Sequence, residues 1–243
     1  MKKPILRSTL LLAPFSALAG SHAEWSYSGD KGPDNWAKLS PDYSACGGKN
    51  QSPVNLEGFI ASDLKPISFH YKPGGREILN NGHTVQINYT EGSRINIDGK
   101  DFKLLQFHFH APSENHISGK SYPLEGHLVH ADDQGNLAVI AVMFEKGRAN
   151  LGLKNAWQHM PEKSGDKQQL AAALDVNSLL PADRSYYRFN GSLTTPPCSE
   201  GVRWLVMKHP MTASADQIDA FKHVMHHDNN RPVQPLNARM ILK

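Results

Sequence analysis

Apolar and polar residues alternate along most of this chain, and helical spacing is scarce. Residues 83–89 (HTVQINY), 94–97 (RINI) and 104–110 (LLQFHFH) carry the two-residue period of half-buried strands. Residues 126–131, 137–144, 186–189 and 202–208 also read as strands. Gly74-Gly75, Asn81-Gly82 and Asp98-Gly99 punctuate them as turns. Three segments predict helices: 149–159, ended by Met160-Pro161; 166–173; and 214–226, with Ser214 as N-cap. No repeat or low-complexity linker divides the chain. The pattern predicts a mainly β, single domain with a few short peripheral helices.

Residues 1–23 depart from that pattern. Lys2 and Lys3 precede an apolar stretch over 9–19 (TLLLAPFSALA), and small residues at 17–19 and 21–23 offer cleavage sites after Ala19 or Ala23. This is the order of a secretory signal peptide, with Ala23 the favoured cut and 24–243 the mature domain. Eleven apolar residues are too few to span a bilayer as a helix. The longest later run, 137–144, suits a buried strand, so the expectation is an exported, soluble protein without a membrane span, periplasmic or secreted. The leader also explains the formal charge of +3. Without Lys2, Lys3 and Arg7, 23 basic residues face 23 acidic ones, and nothing points to nucleic acid.

Two cysteines, Cys46 and Cys198, fit an oxidising destination. An even count there implies one disulfide, the alternative being two buried thiols. The absence of CxxC argues against a thiol redox centre or a zinc ribbon.

The unusual count is 13 histidines. On strand 104–110, Leu105, Phe107 and Phe109 form one face, read as core, and Gln106, His108 and His110 the other. Glu125 and His127 share a face about 20 residues on. With 13 histidines, about 0.7 HxH pairs arise by chance, so the spacing alone is a weak signal. A polar residue two positions before each histidine group, able to orient a ring N–H, strengthens it. Three neutral imidazoles without a thiolate suit zinc with a fourth position open.

These residues carry a resemblance. The run Gln106-Phe-His-Phe-His110, followed by Pro112-Ser113-Glu114-Asn115-His116, resembles the zinc-site strand of the α-class carbonic anhydrases. Glu125-Gly126-His127 looks like the third-ligand segment, and residues 190–197 (NGSLTTPP) are similar to the substrate loop. Residues 25–27 (WSY), 32–36 (GPDNW), 50–53 (NQSP), 80–83 (NNGH) and 231–237 (RPVQPLN) complete the set in family order. The short stretch between His110 and His127 resembles the bacterial exported members.

The resemblance implies reversible hydration of carbon dioxide to bicarbonate and a proton. The agent is a zinc-bound hydroxide held by His108, His110 and His127, in a largely antiparallel, twisted central sheet. Gln106 and Glu125 would orient ligand rings. Thr194, its proton given to Glu114, would aim the hydroxide, and Thr195 would contact bicarbonate. Val129, Val139, Leu193, Val202 and Trp204 would form the apolar wall for CO₂. His83 would carry the proton out, with Tyr27, Asn81 and Asn237 in the water network. Strict alternation sets His83 with Val85 and Ile87, whereas the resemblance also puts Gln86 in the cavity; a strand irregularity such as a bulge would reconcile the two. Ser52-Pro53 and Pro196-Pro197 are candidate cis bonds. Binding of sulfonamide and anion inhibitors follows from the resemblance, and a homodimer is compatible with it.

Rival readings are weaker. Family members lacking a zinc histidine act as binding modules, but here all three ligands, Thr194 and Glu114 are present. Neither HExxH nor GxSxG occurs. His223, His226 and His227, at helical spacing, read as a wet helix face rather than a second metal site.

Overall fold

The computed structural model describes residues 23–243; the expected leader, apart from Ala23, lies outside them. Eight strands run in one path: β1 (Gly75–Asn80), β2 (Val85–Tyr89), β3 (Lys100–His110), β4 (Leu124–Ala131), β5 (Leu137–Lys146), β6 (Lys167–Leu174), β7 (Tyr186–Ser192) and β8 (Glu200–Met207). Their order is β6-β1-β2-β3-β4-β5-β8-β7. Three short strands, Ser68–His70, Arg94–Ile97 and Met211–Ala213, bring the sheet to eleven. Within this sheet pairing is antiparallel except where β8 and Met211–Ala213 join β5 in parallel; a separate parallel pair joins Asn55–Leu56 to His116–Ile117. The expected mainly β, mostly antiparallel single domain is what the chain forms.

The sheet is covered on both faces. On one, Ile78, Ile87, Phe107, Phe109, Leu128, Ile140 and Phe144 pack with Leu153 of α2 (Leu151–Trp157) and Ile218 and Phe221 of α3 (Ala215–Met225); α1 (Trp36–Leu39) packs apart from them, with Tyr43, Cys46 and Cys198. Ser214 caps α3 in a reciprocal capping box with Gln217. On the other face Val129, Val139, Ala141, Met143, Trp204 and Val206 form a second cluster. Among the described residues no helix is long and apolar enough to cross a membrane.

Four expectations change. Residues 166–173 form the edge strand β6, not a helix; β6 pairs with β1 from Lys167 opposite Leu79 to Leu174 opposite Gly75. Leu105 is 46% exposed rather than core. Leu104 sits opposite His130 and Gln106 opposite Val129, so Leu105 is the extra residue of a bulge. Before it Phe102 and Leu104 face the core; after it Phe107 and Phe109 do. His83 precedes β2, in the turn between Asn80 and Val85, so no bulge is needed to put both it and Gln86 at the cavity. Finally, α3 stops at Met225, His226 takes a left-handed φ of 61°, and His227 lies beyond, so the three histidines share no helix face.

Candidate metal centre and catalytic cavity

Register builds the site. Gln86 pairs with His108, His108 with His127 and His127 with Ala141 across β2, β3, β4 and β5. The adjacent row runs Asn88, Gln106, Val129, Val139, Trp204. Polar residues therefore occupy the β2–β3 side and apolar residues the β5–β8 side of one cavity floor. The bulge at Leu105 sets this phase: alternation puts Gln106, His108 and His110 on one face, and the bulge turns that face away from the core that Phe102 and Leu104 enter.

The donor atoms of His108, His110 and His127 all lie within 4.8 Å of one another. Each ring is held through its other nitrogen. His108 Nδ1 donates to Gln106 Oε1 at 2.9 Å, and His127 Nε2 to Glu125 Oε1 at 2.9 Å. His110 Nδ1 donates to the backbone carbonyl of Asn229 at 2.6 Å. That leaves His108 Nε2, His110 Nε2 and His127 Nδ1 as bare lone pairs. His110 Nε2 is buried with no hydrogen-bond partner, which suits a metal ligand. Burial pushes all three imidazole pKa values down, and the neighbouring rings push His108 and His127 further, so the rings are held neutral.

Glu125 is itself over-determined. Its Oε2 accepts from the backbone N–H groups of Glu114 (2.7 Å) and Asn115 (2.9 Å), and its Oε1 from Asn115 Nδ2 (2.8 Å). Glu114 is fully buried, with Oε1 accepting from the Arg231 N–H at 2.8 Å. Its Oε2 has no partner and lies 3.5 Å from His110 Nε2 and 3.9 Å from His127 Nδ1. Burial raises the Glu114 pKa well above the usual carboxylate range; the Arg231 N–H and the Thr194 side chain pull it back.

Thr194 stands on a loop closed by Leu193 N–H to Ser199 O (3.0 Å) and Cys198 N–H to Thr195 O (2.8 Å). Ser52 and Ser192 exchange backbone-to-hydroxyl bonds at 2.9 and 3.1 Å. A Cβ on Gly191 would sit 2.1 Å from Ser52 Oγ, so only glycine lets these segments approach. Cys46 and Cys198 are disulfide-bonded. Asn50 N–H and Gln51 Nε2 donate to Glu200 Oε1 at 2.7 and 3.0 Å. Buried Arg231 donates to Gln51 Oε1, Ser52 O and Cys46 O at 2.8, 2.8 and 3.0 Å. Ser52-Pro53 and Pro196-Pro197 are cis as anticipated; Ala111-Pro112 is also cis.

The cavity above the histidines is lined by Val129, Val139, Leu193 and Trp204 on one side, and by Tyr27, Asn81, His83 and Gln86 on the other. Thr194 and Thr195 also line it, and His83 stacks on Trp25 with centroids 3.7 Å apart. Two assigned residues lie elsewhere. Val202 is buried behind the wall, in the cluster beneath Trp204, and does not line the cavity. Asn237 is exposed and donates to Lys49 O at 2.7 Å, pinning the C-terminal segment instead of joining the cavity network.

A chain with this register and this histidine geometry matches the family model of eukaryotic-type carbonic anhydrases over residues 31–243. It belongs to that family. A carbonic anhydrase of Pectobacterium atrosepticum is 50% identical over the full length of both chains. The structure of the α-carbonic anhydrase of Thermovibrio ammonificans with sulfanilamide superimposes with a TM-score of 0.90 at 49% identity, covering 92% of this chain and 100% of that one. Dioscorin complexed with ascorbate is a more distant neighbour, with 32% identity, a TM-score of 0.84, and 90% and 97% coverage. The activity of this carbonic anhydrase is the interconversion of carbon dioxide with bicarbonate and a proton.

Sequence reasoning missed Asn229 and Arg231. A signal for Asn229 existed: the residue two before His110 is His108, itself a ligand, so His110 needed an orienting partner from elsewhere.

Proposed function

We propose that the resident metal is zinc, held by His108, His110 and His127, and that Glu114, Thr194 and His83 are the catalytic side chains. The bare, converging imidazole nitrogens, with His110 Nε2 orphaned in the interior, carry this reading. Three neutral nitrogen donors leave a dication its full charge and an open position. Bound there, zinc supplies Lewis acidity that brings deprotonation of a water to about pH 7.

The chain's own residues do the rest. A dication on the three rings favours the carboxylate form of Glu114. That carboxylate takes the Thr194 hydroxyl proton in a hydrogen bond, leaving the Thr194 oxygen as an acceptor. Thr194 thereby fixes the direction from which a hydroxide nucleophile attacks. Val129, Val139, Leu193 and Trp204 present apolar surface, which accepts CO₂ without demanding hydrogen bonds. Thr195, which lines the same cavity, meets the polar product. His83, half-buried at the mouth, takes the released proton; an imidazole has the matched affinity for this transfer. Tyr27, Asn81 and Gln86 offer polar atoms that order water between floor and mouth.

The sulfanilamide complex of the Thermovibrio relative supports sulfonamide binding in this cavity. The disulfide supports an oxidising compartment, reached by cleavage of a leader at 1–23, and hence a periplasmic or secreted enzyme. The binding-module reading, kept in view by the dioscorin likeness, is disfavoured by the complete donor set. The test is stopped-flow CO₂ hydration with metal analysis on the mature protein and on His108→Ala. Fast hydration with one zinc, both lost in the variant, is expected. Zinc bound without hydration would sink the enzymatic assignment of Thr194 and Glu114.

A further inference from the structure

Tyr27 is wedged between two imidazoles. Its ring meets His83 edge-on, with centroids 6.4 Å apart and planes at 69°, and His227 likewise at 5.9 Å and 79°. His83 lines the cavity, whereas His227 is exposed to solvent. The left-handed turn at His226 takes the chain off the axis of α3, and His227 follows it. Two residues on, the Asn229 side chain donates to His83 O at 3.0 Å and to Phe109 O at 2.9 Å. The turn carrying His83 and the segment carrying His227 are thus fastened together against the ligand strand. We propose that His227 is the onward acceptor for the proton leaving the cavity through His83, the two imidazoles acting as a pair across Tyr27.

The inference rests on the reading of His83 as the first acceptor. One proton leaves the His83 imidazolium and joins a bare ring nitrogen of His227 through intervening water. It then passes to a solvent base, and both rings return to neutral. Like charges on two rings that flank one phenol ring oppose each other, so a charge on either favours release from the other. The direction of the His83 affinity agrees: burial lowers its pKa, and the charge of His227 lowers it further. The groups around the pair do not cancel this coupling. Burial raises the Tyr27 phenol well above its usual range, reinforced by Glu114, so it stays neutral. His226 and Asp228 flank His227 in the chain, and among the described residues neither His83 nor His227 forms an ion pair with a carboxylate.

The test uses the zinc-loaded enzyme, its His227→Gln variant and, for comparison, His83→Ala. The His83 imidazole is titrated by NMR, and CO₂ hydration is followed from dilute to concentrated imidazole buffer. His227→Gln is expected to raise the His83 midpoint and to slow turnover several-fold in dilute buffer, with added imidazole restoring it. An unmoved His83 midpoint, or unslowed turnover in dilute buffer, overturns the pair. If His83→Ala slows turnover and His227→Gln does not, this inference alone fails. If His83→Ala itself turns over normally in dilute buffer, the reading of His83 fails and takes the pair with it.

Discussion

His108 and His127 each find an orienting partner two residues back on their own strand, and His110 finds one 119 residues away. The first two contacts are cheap in sequence because strand periodicity puts residues i and i+2 on one face. They are also separable from the fold. Replacing Gln106 by Leu removes the acceptor for His108 Nδ1 and leaves the ring free to rotate. Zinc affinity is expected to fall about 10–100-fold, read by competition with a chelator, while circular dichroism is unchanged. Undiminished affinity would show that packing alone orients His108. Thr194→Val separates binding from chemistry in the other direction. It keeps the volume but removes the hydroxyl, so metal content should stay at the wild-type level while CO₂ hydration drops about 10²-fold, the scale of a misdirected reactant. Loss of zinc along with activity would instead make Thr194 part of the metal's support.

At the scale of elements, the loop bearing Thr194 is held by three different chemistries: the Cys46–Cys198 bond, the Glu200 carboxylate on the 50–51 segment, and the buried Arg231 guanidinium. The disulfide closes a separation of 152 residues, worth about 5 kcal/mol in the chain-entropy model. Its reduction is expected to lower unfolding stability by an appreciable part of that and to weaken turnover. Because Glu200 and Arg231 persist, stability falls proportionally more than activity. Reduced protein with unchanged turnover and unchanged denaturation midpoint would refute the tether. Some of this architecture was legible beforehand and some was not. The ligand strand and the cap of α3 follow from period and local motif, and the cavity's two sides from the family resemblance. Strand β6 does not: KQQLAAAL favours a helix by composition. Its buried Leu170 and Leu174, four apart, match a helical stripe as well as a strand face. Pairing with the edge of β1 decides, and pairing is a tertiary fact. The bulge at Leu105 is hidden for a related reason, since an extra residue is visible only against its partner strand. Asn237 and Val202 were placed by motif position alone, which gives neighbourhood but not the direction of a side chain.

Across the whole molecule, a buried histidine outside the metal centre sets a limit on acid tolerance independent of that centre. His130 follows the ligand segment on β4 and is 0% exposed. Its Nδ1 lies 3.3 Å from the Ala138 carbonyl, which can only accept, so Nδ1 carries the proton. Nε2 therefore accepts from the Tyr71 hydroxyl at 2.7 Å. Protonating the ring would leave two O–H and N–H donors facing each other in the interior. Burial accordingly lowers the His130 pKa from the ordinary 6.5 to about 4, the Ala138 and Leu128 carbonyls opposing only in part. The sign follows from linkage. Between these values the unfolded chain binds a proton that the native chain refuses, so native stability rises with pH across that window. The contribution is fully present above about pH 6.5 and lost as pH falls towards 4, amounting to about 3 kcal/mol. His130→Gln keeps a donor for Ala138 and an acceptor for Tyr71 but cannot titrate. The variant should therefore lose less stability than the wild type between pH 6.5 and 4, by about that amount. The comparison is made by urea unfolding at successive pH values, and the zinc ligands, common to both proteins, cancel in the difference. Parallel stability curves for the two proteins would mean that His130 is protonated in the native state without cost, and the Tyr71 hydrogen bond would then have to reverse its direction.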